Sequence, residues 1–243
     1  MSAPGAPTLR VSECPAEACA DWLIARAAQV IAARGRCRIG LPGGRTPIPL
    51  LARLAEQLPA ALYPGLRVTW VDERHVPPGD PDSNQALTEA HWFAAAPAPV
   101  ACTPLWRGGD LLGDRDAFAA AFAADFDSAL DVVVLGVGED GHVASIFPAD
   151  LLARHADGAV AAVAHAPKPP PRRLTLTLPV FEAAQHLALL ATGAAKAGAM
   201  ARAAAGTLEV PVGRLRPRGE FIWFLDTPAA AQLAHPGAGR AHP

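Results

Sequence analysis

A carboxylate and an imidazole, Asp140 and His142, stand two residues apart in the stretch L-G-V-G-E-D-G-H-V-A-S-I-F-P at 135–148. An imidazole with an unperturbed pKa near ~6.5 accepts a proton at neutral pH. A carboxylate beside it can fix the ring tautomer and stabilise the imidazolium that forms. Glycines at 136, 138 and 141 permit sharp turns around the pair. This is the equipment of a proton-transfer site. Metal ligation by the same two residues lacks a convincing third ligand. Ser145, close by, lacks the G-x-S-x-G setting of an activated serine nucleophile.

Three further polar clusters carry chemistry-bearing residues. In Gly43-Gly44-Arg45-Thr46-Pro47, Thr46 suits an N-cap and Pro47 the first helical position. The turn reads either as a phosphate cradle at a helix N-terminus, with Arg45 adding charge, or as an ordinary capped turn. It has neither the lysine nor the spacing of a Walker loop. Asp72-Glu73-Arg74 reads as a solvated charge cluster or as a site in which Arg74 forks onto a phosphate, carboxylate or carbonyl oxygen. Lys196, after Thr192-Gly193, is a solvated lysine or a point charge for phosphate. Arg172 and Arg173 frame the same pocket or face solvent. His75, His91, His155, His165, His186, His235 and His242 have no setting comparable to that of His142.

The elements that must position these clusters alternate. Residues 15–34 carry Cys19, Trp22, Leu23, Ala27, Val30 and Ile31 near one helical face and stop at Gly35. Strands are expected at 38–41, 66–71, 131–136, 159–164, 173–178, 187–191 and 221–225, and helices from Ile48, over 84–94, over 115–129 and from 192–196. This alternation implies an α/β fold: a mostly parallel, Rossmann-like sheet with helices on both faces. Ligands bind such sheets beyond the carboxyl ends of the strands. The clusters at 43–46, 72–74, 138–142 and 192–196 all fall at those ends.

Composition bounds the rest. The 243 residues are 51% hydrophobic and 18% charged, enough for one large domain, 1–243, with residues 1–10 and 236–243 expected to be loose. A formal net charge of -2 offers no basic footprint for nucleic acid. Cys14, Cys19, Cys37 and Cys102 show neither metal-ligand spacing nor a disulfide framework, as in a reduced, cytoplasmic setting. No apolar run reaches the ~18 residues of a membrane span, and the first residues lack the pattern of a signal peptide.

These motifs resemble those of the bacterial-type 6-phosphogluconolactonase family. The resemblance rests on G-G-R-T-P at 43–47, D-E-R at 72–74, S-N at 83–84, G-V-G-E-D-G-H-V-A-S-I-F-P at 136–148, R-L-T-L-T at 173–177, G-A-A-K-A at 193–197 and F-I-W-F-L-D-T-P-A-A at 221–230. Glucosamine-6-phosphate deaminases, a more distant resemblance, carry an asparagine and a catalytic glutamate where this chain has Ile146 and Phe147. An apolar pair cannot supply acid–base chemistry for ring opening. The resemblance implies hydrolysis of 6-phospho-D-glucono-1,5-lactone to 6-phosphogluconate in the pentose phosphate pathway. It implies no cofactor and no metal. Its partner is a small sugar-phosphate lactone, and the chain is expected as a monomer or small homo-oligomer. By the same resemblance His142 corresponds to the general base, and Asp140, Asp72 and Arg74 match active-site positions. Gly43, Gly44, Arg45 and Thr46, with Arg173 and Lys196, match the substrate-anchoring region.

Overall fold

The computed structural model describes residues 7–148 and 158–233. His155, His235, His242 and the segment 236–243 lie outside the described residues. The chain runs β1 (Thr8–Val11), α1 (Pro15–Arg34), β2 (Cys37–Leu41), α2 (Ile48–Gln57), β3 (Leu66–Trp70), β4 (Asp72–Arg74), α3 (Asn84–His91), α4 (Leu111–Phe126) and β5 (Val132–Gly136). It continues with β6 (Val160–Val163), β7 (Arg173–Leu176), α5 (Leu178–Glu182), β8 (His186–Ala191), α6 (Ala197–Ala204), β9 (Glu220–Leu225) and α7 (Thr227–Ala230).

Six strands form one sheet in the order β1-β9-β8-β5-β2-β3, and every pairing in it is parallel. Val132 through Leu135 are all fully buried, so the middle of the sheet is covered on both faces. Apolar runs without alternation are what such strands require, and the sequence shows them. Of the α1 face read from its periodicity, Cys19, Trp22, Leu23, Ala27 and Val30 are buried, and Ile31 is partly buried against the core. Gly35 ends that helix in the left-handed conformation, its N–H donating to the Ile31 carbonyl.

The expected strands at 159–164 and 173–178 are not members of the parallel sheet. They appear as β6 and β7 in a separate antiparallel sheet, order β4-β7-β6. Its third strand is the polar triplet 72–74, which ends no strand but forms one. Val71 joins the two sheets: its N–H donates to the Leu41 carbonyl and its own carbonyl accepts from Leu176 N–H. Three other boundaries also differ. α4 starts at Leu111, not 115, because Asp110 caps it, accepting from the N–H groups of Leu112 and Gly113. α3 stops at His91, before 94, and Phe93–Ala95 forms a 3-10 turn. The edge strand β1 lies where a loose N-terminus was expected; all four of its residues are exposed, so no burial pattern marks it.

Candidate active site

The order of the parallel strands reverses between β2 and β5. The connection after β2 leads toward β3 on one side, while β5 and β8 lie on the other. Such a switch point leaves a crevice at the carboxyl edge. The crevice here is a cavity of about 400 Å³. Gly43, Gly44, Arg45, Thr46, Asp72, Arg74, His142, Arg173 and Lys196 all line it, together with Glu139, Lys168 and Thr192. Asp140 stands behind His142.

The His142 loop is built as a platform for one imidazole. Gly138 N–H donates to the His142 carbonyl at 2.8 Å, and Gly141 N–H to the Gly138 carbonyl at 3.0 Å. Asp140 Oδ1 lies 2.6 Å from His142 Nδ1. Phe147 packs its ring against the imidazole, centroids 4.7 Å apart. Gly138 is glycine because a Cβ there would lie 2.0 Å from His142 Nδ1 and 2.5 Å from Asp140 Oδ1. Burial holds His142 below its ordinary imidazole value, opposed by the Asp140 charge. Asp140 is held low despite its own burial, by the His142 charge and hydrogen bond. A carboxylate can only accept, so Nδ1 carries the proton and Nε2 is left as the basic nitrogen.

Asp72 ties the two glycine-rich loops together. It is buried, and its Oδ1 accepts from Asn84 Nδ2 at 3.1 Å. Its Oδ2 accepts from Ser145 Oγ at 2.5 Å. Asn84 in turn lies against the turn after β2: a Cβ on Gly43 would fall 1.7 Å from its Oδ1. Ser145 is fully buried and committed to Asp72, which argues against a nucleophilic role. Glu73, also buried, accepts from the N–H groups of Arg74, Asn84 and Gln85 and from Ser83 Oγ, closing the start of α3.

The turn after β2 differs from its sequence reading. Pro47, not Thr46, is the N-cap of α2, no side chain caps it, and Pro49 takes the second helical position. The Thr46 hydroxyl is therefore left for the cavity, and the N–H groups of Gly44, Arg45 and Thr46 have no acceptor among the described residues. The turn before α6, which follows β8, is held by Asp226, which accepts from Gly193 N–H at 2.8 Å. Burial holds the Lys196 ammonium below its ordinary value.

Arg74 donates Nη1 to the Asp82 carbonyl at 3.0 Å, while its buried Nε has no partner among the described residues. Arg74 and Arg173 face each other across the β4–β7 ladder. Arg173 is only 4% exposed and spends three N–H groups on backbone carbonyls: Nε on Pro170, and Nη2 on Lys168 and Pro169. Arg172 does not line the cavity. His75 bonds Asp114, His186 bonds Glu220, and His91 and His165 are exposed. Among the described residues no group of three or more His, Cys, Asp or Glu is placed to hold a metal ion. Sequence reasoning gave Asn84 and Asp226 no role, and each is an ordinary polar residue until its distant partner is known. Lys168 gave no signal beyond its proline-rich setting.

Residues 12–223 match the family described as Glucosamine-6-phosphate isomerases/6-phosphogluconolactonase. A 6-phosphogluconolactonase of Streptomyces coelicolor is 38% identical over 252 residues, covering 92% of each chain. The 6-phosphogluconolactonase of Homo sapiens is 35% identical, covering 90% of each. The solved structure of 6-phosphogluconolactonase from Trypanosoma brucei superposes with a TM-score of 0.80 over 94% of this chain and 99% of that one, at 28% identity. A monomeric glucosamine-6-phosphate deaminase shares the fold, with a TM-score of 0.77 at 18% identity. With a match that spans both glycine-rich loops and nearly the whole sheet, the chain belongs to the glucosamine-6-phosphate isomerase/6-phosphogluconolactonase family.

Proposed function

We infer that this chain hydrolyses 6-phospho-D-glucono-1,5-lactone to 6-phospho-D-gluconate, with His142 as the general base. The observation that carries this is the Asp140–His142 pair, 2.6 Å apart, with the imidazole lining the cavity and its basicity lowered by burial. His142 Nε2 takes a proton from water, and the water oxygen attacks C1 of the lactone. The carbonyl electrons move onto oxygen to give a tetrahedral oxyanion. When that oxyanion collapses, the bond from C1 to the ring oxygen breaks. The imidazolium returns its proton to the ring oxygen, and the open-chain acid remains. Asp140 stabilises the imidazolium between the two transfers.

The phosphate end is assigned to the turn after β2 and to Lys196, which line the same cavity. The N–H groups of Gly44, Arg45 and Thr46, without acceptors among the described residues, lie just before α2, where the helix dipole favours an anion. The Arg45 and Lys196 side chains supply the charge. Arg74 adds a further cation, and Asp72 acts by holding both loops rather than by moving protons. Phe147 argues against deamination, because the position is apolar, buried and used as a floor for His142.

Depressed basicity predicts that activity survives on the acid side to below the ordinary imidazole range and then falls as His142 is protonated. The direct test is to generate the lactone enzymatically and compare its decay with and without the protein. Decay at the spontaneous rate in both samples would refute the assignment.

A further inference from the structure

The proline-rich strap between β6 and β7 has no place in the mechanism above, yet it is anchored at several points. Ala166 N–H donates to the Pro171 carbonyl at 2.8 Å, closing the strap on itself. Ala166 packs with Phe147 and Val163 in a small apolar cluster of their own. The Arg173 guanidinium lies over the same Phe147 ring, 5.7 Å from its centroid, and donates to the three consecutive carbonyls of Lys168, Pro169 and Pro170. An arginine has five N–H donors in a rigid fork. Three of them are spent on the strap, and the remaining nitrogen, Nη1, stands 4.0 Å from Asp72. Little of that buried fork is left to grip a phosphate.

What the strap carries is Lys168. Its residue is exposed at the cavity rim, it lines the same cavity as His142, and no carboxylate among the described residues pairs with it. Its carbonyl is held by Arg173, whose guanidinium lies over Phe147, and Phe147 packs against His142, so the strap brings Lys168 to the His142 side of the cavity. Phe147 links strap and imidazole, since its ring touches both His142 and the Arg173 fork.

We propose that Lys168 is a substrate-contacting residue for the charge that develops at C1, and that Arg173 is the positioning residue that holds it there. The inference rests on the lactonase reading. Hydrolysis places negative charge on the C1 oxygen twice, first in the tetrahedral oxyanion and then in the product carboxylate. An ammonium on the His142 side of the cavity, with no carboxylate partner among the described residues, favours both. Arg173 acts through the strap: with its fork removed, three carbonyls lose their donors and Lys168 loses its fixed position.

Two ligands separate the C1 end from the phosphate end. 6-Phospho-D-gluconate has a carboxylate at C1, and D-glucitol 6-phosphate has a neutral hydroxyl there. Titration calorimetry on the unaltered protein and on Lys168→Ala should show about five- to tenfold weaker binding of the gluconate in the variant, the scale of one partly screened charge pair. The glucitol phosphate should bind both proteins within about twofold. Equal losses for both ligands, or none for either, would overturn the role at C1. Arg173→Lys keeps a charge over Phe147 but loses the fork. It should reproduce the Lys168→Ala loss in the unaltered protein and add almost nothing when combined with Lys168→Ala. Full, independent losses in both backgrounds would overturn the positioning role. Failure of both ligands to bind the unaltered protein would instead sink the lactonase reading, and this inference with it.

Discussion

Replacing Gly138 with alanine should disable the site while leaving the fold alone. Gly138 does not use the left-handed backbone region, so alanine adopts its conformation without strain. The added methyl, however, would sit 2.0 Å from His142 Nδ1, 2.2 Å from Cε1 and 2.5 Å from Asp140 Oδ1. Favourable contact begins near ~3.5 Å, so the imidazole must retreat by more than about 1 Å. A misplacement of that size costs on the order of 10²-fold in rate, about 2.7 kcal/mol of transition-state stabilisation. The phosphate grip is on another loop, so KM should change little. Steady-state kinetics on enzymatically generated lactone, with a thermal melt as the folding control, would measure both. A kcat within about twofold of the unaltered protein, with the melt unchanged, would refute the claim that this loop exists to seat the dyad.

Further outcomes follow from the neighbouring geometry. Lys196→Ala should mainly raise KM, by about tenfold if one phosphate contact is lost, and an unchanged constant would remove Lys196 from the phosphate end. Gly43→Ala would drive a methyl to 1.7 Å from Asn84 Oδ1 and displace the amide that holds Asp72; a loss of about 1–3 kcal/mol in urea unfolding is expected, and undiminished stability would count against the Asn84–Asp72 link. Burial pushes the Glu73 carboxyl up to about 7, against the N–H groups that hydrogen-bond it; the unfolded value is about 4.3. A raised folded pKa favours folding most at low pH, and that contribution is lost as pH climbs from about 4.3 to about 7, by about 3 to 4 kcal/mol. Unfolding free energies across this window should fall less steeply for Glu73→Gln, and identical slopes would contradict the shift.

The parallel sheet was legible because its strands are short apolar runs with polar turns at one end. Val132–Leu135 and Phe221–Leu225 must be buried on both sides, and their composition says so. The placement of the site followed from the same rule, since every cluster after β2, β5 and β8 falls at the carboxyl edge. The second sheet was hidden for a physical reason. Asp72–Arg74 is too polar to look like a strand, and its partner Arg173–Leu176 lies about a hundred residues away. Pairing across such a distance leaves no local trace. Thr46 looked like a cap because capping residues favour that position, but Pro47 takes it and leaves the hydroxyl for the cavity. Arg173 was readable as a cation near the site, whereas its commitment to the strap depends on a chain path that charge and spacing do not encode.

The central claim is that one imidazole, steadied by Asp140, removes a proton from the attacking water. Lactone hydrolysis by purified His142→Ala, followed beside the unaltered protein at neutral pH, tests it most directly. The rate should fall by about 10²–10⁴-fold with the melt preserved and product affinity nearly intact. Hydrolysis at the unaltered rate would contradict it.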